Sequence, residues 1–127
     1  MHPSKRELID ALREGISANR AASQALEAEA ALMEQGIQVL MSGELVSETM
    51  RMLPLGEYRK ATQIAFDHVS AARQRRRRLT VAMSQEEGMS SWEIANSWAV
   101  SRQLVDRYTQ ENKKEDERHQ VPSEHPE

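Results

Sequence analysis

The sequence has no cysteine, which excludes a disulfide framework and a thiolate metal site and suits a reducing compartment. Aromatic residues make up only 4% of the chain, whereas alanine, leucine, methionine and glutamate are abundant. That composition favours helices packed through aliphatic side chains over β-sheets. No apolar run approaches the roughly 20 residues of a membrane span or resembles the core of a secretion signal. We therefore expect an all-α cytoplasmic protein without a membrane partner.

Residue patterns typical of catalysis are also missing. The four histidines, His2, His68, His119 and His125, do not have the spacing of metal ligands. The chain lacks a phosphate-cradling glycine loop, a nucleophile elbow, and an acidic cluster with the partners that acid–base or two-metal catalysis needs. We expect no metal, no cofactor and no enzymatic activity. At 127 residues, the chain is long enough for one ordinary domain or two small ones.

Charge is distributed unevenly along the chain, although the net charge is only -3. Residues 1–56 carry five basic and eight acidic side chains, residues 57–110 carry nine and six, and residues 111–127 carry three and six. Five of the nine basic groups in the middle segment lie between Arg73 and Arg78. A polyanionic partner would therefore bind the middle segment.

A long helix is predicted to begin near the N-terminus, because Ser4 and Glu7 have capping-box spacing. The positions that follow, which we call the apolar stripe, alternate steps of three and four: Ile9, Leu12, Ile16, Asn19, Ser23, Leu26, Ala30, Met33, Ile37 and Leu40. The stripe could pack against the rest of its own chain or against a second copy. A helix of about 55 Å is too long for so small a partner domain to cover, which favours a homodimer or a higher oligomer.

We predict three regions along the chain. Residues 1–56 form the dimerising region, either one long helix or a helical hairpin, since Gly15 and Gly36 weaken the helix. The long helix ends at Ser42-Gly43, and a short helix over residues 44–53 stops at Pro54. Residues 57–110 form a linker helix and a terminal domain, and residues 111–127, which lack an apolar period, form a disordered charged tail.

The linker helix has its apolar positions at Tyr58, Ala61, Ala65, Val69, Ala72, Leu79 and Met83. Arg76 interrupts this pattern on the same face. A buried, unpaired guanidinium would be costly, so Arg76 should reach solvent or mark the joint between the helical region and the terminal domain.

Three helices fit the terminal domain. The first ends at Gly88, and the second is capped by Ser90 with Glu93 returning the capping-box bond. The second helix places Ile94, Ala95 and Trp98 inward, the chain turns at Ala99-Val100, and Ser101 caps a third helix. The third helix is expected to face inward through three residues, Leu104, Val105 and Tyr108. Trp92 should either cover the small core as a lid, which is the favoured interpretation, or lie against a bound nucleic-acid backbone.

This segment resembles the helix-turn-helix superfamily, especially small bacterial resolvase-type and repressor-type domains, through its Gly-Met-Ser opening and its Val-Ser-Arg-Gln sequence at residues 100–103. The resemblance covers about the last third of the chain. It implies that Ala95 lets two helices touch, that Ser101 to Gln103 begin a base-reading helix, and that the inner positions are Ile94, Trp98, Val100 and Val105. Ala99 stands where the superfamily prefers glycine, and a left-handed alanine costs about 1 kcal/mol.

The resemblance implies a sequence-specific regulator of transcription that binds double-stranded DNA as a dimer, with half-sites about 34 Å apart in a palindromic target. Arginine and glutamine match the hydrogen-bonding edges of guanine and adenine, and serine suits a phosphate. The expected DNA contacts around the third helix are Ser90, Ser91, Ser101, Arg102, Gln103, Asp106, Arg107 and Gln110. Further phosphate contacts are expected from the arginine run, at Arg73, Arg75, Arg77 and Arg78.

Two alternatives remain open. Trihelical domains also dock proteins, and a net charge of -3 is unusual for a DNA-binding protein. An oligomerisation or adaptor protein could use an adaptable methionine surface formed by Met33, Met41, Met50, Met52 and Met83. A DNA packaging or segregation factor of a phage or plasmid would also combine such a domain with a multimerising helix.

Overall fold

The computed structural model describes residues 3–120, with side chains described to residue 118. Within this range the chain forms five helices and no strand, which confirms the all-α prediction. The helices are α1 (Lys5–Met41), α2 (Val46–Met52), α3 (Leu55–Glu86), α4 (Ser91–Trp98) and α5 (Arg102–Gln120). None of these helices has a stretch apolar and long enough to cross a bilayer. The last seven residues of the predicted tail lie outside the described residues.

Local sequence features set both ends of α1 and the junction between α2 and α3. The backbone N–H of Glu7 donates to Ser4 Oγ at 3.2 Å, as the capping-box spacing predicts. At the other end of α1, Gly43 adopts φ +100°, a left-handed conformation that glycine reaches without strain. Pro54 separates α2 from α3, which begins at Leu55, two residues earlier than predicted.

Contacts divide the chain into two compact units. We call Arg13–Ala72 the hairpin unit, and Met1–Leu12 together with Arg73–Glu127 the terminal unit. The division on α3 therefore falls after Ala72. The turn at Pro54 reverses the chain so that the first part of α3 packs in the same unit as α1 and α2.

In the hairpin unit, α1 and α3 run antiparallel. Thr62 Oγ1 donates a hydrogen bond to Glu29 Oε2 at 2.9 Å, and His68 lies beside Ala18 and Ala21 around one shallow pocket. The α1 positions turned inward are mostly small, which allows close approach of the helices: Gly15, Ala18, Ala22, Ala25, Leu32, Gly36 and Val39. On α3, Thr62 is buried and Ala61 is exposed, so the predicted inward position Ala61 was wrong by one residue.

The apolar stripe does not provide the intramolecular face of α1. Its large side chains remain exposed, for example Ile16 at 50% and Met33 at 60%. The packed face lies one residue earlier in the heptad, where smaller residues permit closer helix contact. Packing among the described residues therefore leaves the apolar stripe exposed along its whole length.

The terminal unit has a small core built from α3, α4 and α5. The buried residues are Val81, Ile94, Ala95, Val105 and Tyr108. Four partly buried side chains pack around them, namely Met89, Trp98, Val100 and Leu104. The inward positions expected on α4 and α5 thus lie in or against this core.

Three details of the terminal unit differ from the sequence-based expectations. Trp92 is 63% exposed, so the predicted lid was wrong, whereas Trp98 packs against the core as expected. Helix α5 continues to Gln120, through ten residues of the predicted disordered tail. One nitrogen of Arg76, Nη1, is buried without a hydrogen-bond partner among the described residues, so this side chain does not extend fully into solvent.

Candidate nucleic-acid interface

Helix α4 begins with a complete capping box. The backbone N–H of Glu93 donates to Ser90 Oγ at 3.2 Å, and the backbone N–H of Ser90 donates to Glu93 Oε1 at 3.1 Å. The Ser90 hydroxyl, predicted to contact DNA, therefore also stabilises the helix end. Ser91 is half-buried at the first helical position, and the exposed ring of Trp92 follows it.

The connection from α4 to α5 is short and strained at one residue. Ala99 has φ 56° and ψ 43°, the only left-handed non-glycine backbone among the described residues. This conformation lets the N–H of Val100 donate to the carbonyl oxygen of Ala95 at 3.0 Å, so the chain leaves α4 sharply. Ser101 Oγ then accepts from the backbone N–H of Leu104 at 3.1 Å and caps α5.

Helix α5 separates its apolar and polar residues onto two faces. Val105 and Tyr108 are buried against α3 and α4. The predicted DNA contacts on this helix are all exposed and share its outer face: Arg102, Gln103, Asp106, Arg107 and Gln110. The structure therefore brings together all of the sequence-predicted residues within α5. We call this set the outer face of α5.

The helical continuation of α5 extends the same polar surface. Lys113 and Lys114 are exposed, three and four residues after Gln110, and add two positive charges that the sequence analysis left out of the site. The signal was present in the sequence, but the charged composition of residues 111–127 favoured disorder. That Lys113 and Lys114 lie on a helix follows only from the contacts that hold α5 against α3.

Arg102 lies close to an acidic residue one turn later on the same helix. Its Nε lies 3.8 Å from Asp106 Oδ2, and both side chains are more than half exposed. Such exposed pairs contribute at most about 1 kcal/mol and are easily exchanged for another anion. Asp106 therefore holds Arg102 along the helix without preventing it from binding a ligand.

The arginine run lies on α3 in the same unit. Arg73 is exposed, whereas Arg75, Arg77 and Arg78 are half-buried, so the run is less open to solvent than its sequence suggested. The main-chain carbonyl oxygen of Arg78 accepts a hydrogen bond from Asn112 Nδ2 of α5 at 3.0 Å. The C-terminal end of the run therefore touches α5 directly.

The hairpin unit carries a second candidate surface, an apolar groove. It has a volume of about 540 Å³ and is formed by side chains from α1, α2 and α3. Its apolar lining includes Leu32, Met33, Met50, Leu53 and Phe66. We refer to it below as the hairpin groove.

Comparison of the chain with known protein families, with curated proteins and with solved structures finds no match. The functional interpretation therefore depends on the geometry and the chemistry of the chain's own residues.

Proposed function

We propose that the chain is a sequence-specific DNA-binding protein that acts as a homodimeric regulator of transcription. In this proposal the end of α3 together with α4 and α5 forms a helix-turn-helix domain, and α5 enters the major groove of double-stranded DNA. The observation that carries the proposal is the outer face of α5, which presents exposed forked side chains directly after a tight turn from a short helix.

The dimensions and chemistry of α5 support base recognition. An α-helix with its side chains is about 10–12 Å across, and the major groove is about 12 Å wide. Arg102, Gln103 and Arg107 lie in the first two turns, the part of a recognition helix that approaches the base edges. Arginine donates two hydrogen bonds to guanine, and glutamine both donates to and accepts from adenine.

Phosphate contacts would come from the surroundings of α5. The N-terminus of α4 has a partial positive charge and exposed polar groups at Ser90. Lys113 and Lys114 extend the positive charge along α5, and Arg73 adds an exposed cation on α3. Such contacts supply affinity and orientation, while the first turns of α5 supply specificity.

The decisive experiment is fluorescence anisotropy of the full chain with labelled random and genomic duplexes at several salt concentrations. We expect binding that weakens linearly with the logarithm of salt concentration, and tighter binding to a selected palindromic sequence. The double variant Gln103→Ala/Arg107→Ala should abolish the preference for that sequence. Lys60→Ala, which removes an exposed cation of the hairpin unit, is the matched control. Absence of binding even at low salt rejects the proposal.

The hairpin groove favours a second candidate function, an adaptor that docks a protein partner. Its lining is mainly apolar, and the exposed methionines Met33 and Met50 give it an adaptable surface. A partner recovered in stoichiometric amount after nuclease treatment, and lost with Met50→Asp, would favour this function over DNA binding. Recovery that nuclease abolishes would instead point to DNA as the bridging component.

A further inference from the structure

Helix α1 has two heptad faces, and within residues 3–120 it packs through only one of them. The small residues of one face pack toward α3, among them Gly15, Ala22 and Gly36. The apolar stripe lies on the adjacent face, with Ile16, Leu26, Met33, Ile37 and Leu40 all between 44% and 60% exposed. Monomeric proteins rarely leave so continuous an apolar surface in water.

The open flank of the stripe has an ordered pattern of charge. Four exposed side chains follow one another at intervals of seven residues, which places them on one line along α1. They are Arg13, Arg20, Glu27 and Glu34, basic in the first half and acidic in the second. Arg13 and Arg20 border a shallow depression that also includes Ile16, so the charges lie directly beside the stripe.

We propose that this surface binds a second copy of the chain in antiparallel orientation, centred between Gln24 and Ala25. In an antiparallel pair, each flank of one helix faces the same flank of its partner. The charge line then complements itself: Arg13 faces Glu34 of the second copy, and Arg20 faces Glu27. The twofold symmetry repeats both pairs, so four opposite-charge pairs form and no like charges meet.

The same register matches the stripe with itself. Ile16 of one copy lies against Met33 of the other, and Ser23 lies against Leu26, in the alternating layers of a coiled coil. Asn19 faces Ala30, the smallest residue of the stripe, which leaves room for water at its amide. The two polar positions thus lie near the centre of the interface together with Leu26, and the other large apolar residues lie towards its ends.

A parallel pair does not use these charges. In a parallel coiled coil, the charged flank would face the opposite flank of the partner helix. On α1 that opposite flank contains Gly15, Ala22 and Gly36, which are turned toward α3 within the hairpin unit. The charge line would then face no opposite charge.

The hairpin groove is continuous with this surface, because Met33 and Leu40 belong to both. Phe66, which is 42% exposed, adds an apolar contribution from α3 at the groove wall. A second copy seated on the stripe would therefore also cover part of the groove. This gives the interface apolar area from more than one helix.

The first test is charge reversal in the full chain without DNA, followed by sedimentation equilibrium. The wild type should have twice the chain mass of 14.5 kDa. Glu27→Arg/Glu34→Arg should raise the dimer dissociation constant about tenfold or more, since opposite charges become like charges. Adding Arg13→Glu/Arg20→Glu in the same chain should return the dissociation constant to near its wild-type value. Gln35→Arg, an exposed position on the outer side of α1, is the matched control.

The second test determines orientation by disulfide trapping. The chain has no cysteine, so Ile16→Cys and Met33→Cys each introduce a single thiol. A mixture of the two variants, refolded together and oxidised, should cross-link, and neither variant alone should do so. In the antiparallel pair, the two copies of residue 16 are separated by about 25 Å along the axis, whereas a disulfide requires Cα atoms within about 7 Å.

The outcomes separate this inference from DNA binding. A monomer at tens of micromolar, or cross-linking of Ile16→Cys with itself, would overturn the antiparallel dimer. A dimer that forms without any of these cross-links would place the interface elsewhere and would also overturn it. Because DNA is absent from both tests, failure to bind a duplex leaves the result unchanged. Circular dichroism of each variant establishes that the helices are intact.

Discussion

Asn112 of α5 donates a hydrogen bond through Nδ2 to the main-chain carbonyl oxygen of Arg78 of α3, over 3.0 Å. One turn earlier on α5, Thr109 Oγ1 accepts a hydrogen bond from Gln85 Nε2 of α3 at 2.8 Å. The two bonds join α5 to α3 beyond the edge of the apolar core. They explain how α5 stays packed past Gln110, where the apolar pattern of the sequence ends.

Asn112→Ala should lower the free energy of unfolding by about 1 kcal/mol, because a partly buried interhelical hydrogen bond is lost. Urea denaturation followed by circular dichroism measures the change. Lys113→Ala removes an exposed neighbour on the same helix and should have little effect. Equal destabilisation by the two variants would contradict the structural role of Asn112.

Ala99→Gly should raise the free energy of unfolding by about 0.5–1 kcal/mol, because glycine relieves the left-handed strain of the folded state. The greater flexibility of glycine in the unfolded chain offsets only part of this gain. The same denaturation experiment measures it. Ala31→Gly, at an exposed helical position of α1, should have the opposite sign, with a loss of about 1 kcal/mol. Destabilisation by Ala99→Gly would show that the backbone at this turn is not left-handed.

The two tryptophans should differ in fluorescence, because Trp92 is 63% exposed and Trp98 packs against the core. Trp98→Phe leaves Trp92 as the emitter and should give red-shifted emission that acrylamide quenches readily. Trp92→Phe leaves the more protected ring and should give the reverse. If Trp92→Phe showed the more readily quenched emission, Trp98 would be the more exposed ring, which would contradict the structure.

Arg102→Ala and Arg77→Ala should affect DNA binding differently. Arg102 begins the outer face of α5, so its loss should reduce the preference for a selected sequence by about 1–3 kcal/mol. Arg77 lies in the arginine run, so its loss should weaken binding to all sequences and reduce the salt dependence. Anisotropy titrations of both variants with selected and random duplexes measure this. If Arg102→Ala weakened binding equally to all sequences, Arg102 would contact a phosphate and not a base.

Several features of this chain follow from local sequence alone. The start of α4 depends on Ser90 and Glu93, whose side chains reach only the backbone of their own turn. The cap of α5 likewise depends on Ser101 and a backbone group three residues later. Interactions of such short range can be inferred from residue spacing, which is why the helical class and the capped starts of α1, α4 and α5 were predicted correctly.

The choice between faces required tertiary structure. Helical periodicity marks residues that share a face, but it does not say which face meets another helix. On α1 the large residues of the apolar stripe suggested the packed face, yet the adjacent small residues let α3 approach more closely. On α3, likewise, the buried residue is Thr62 and not the predicted Ala61.

The amino-acid sequence by itself determined the helices of this protein and the polar outer face of α5, because capping and periodicity act within a few residues along one chain. Tertiary structure decided that Trp92 does not cover the core, that α5 continues to Gln120, and that the apolar stripe remains exposed. These outcomes depend on contacts between helices far apart in sequence, where the shapes of both partners determine which surfaces meet.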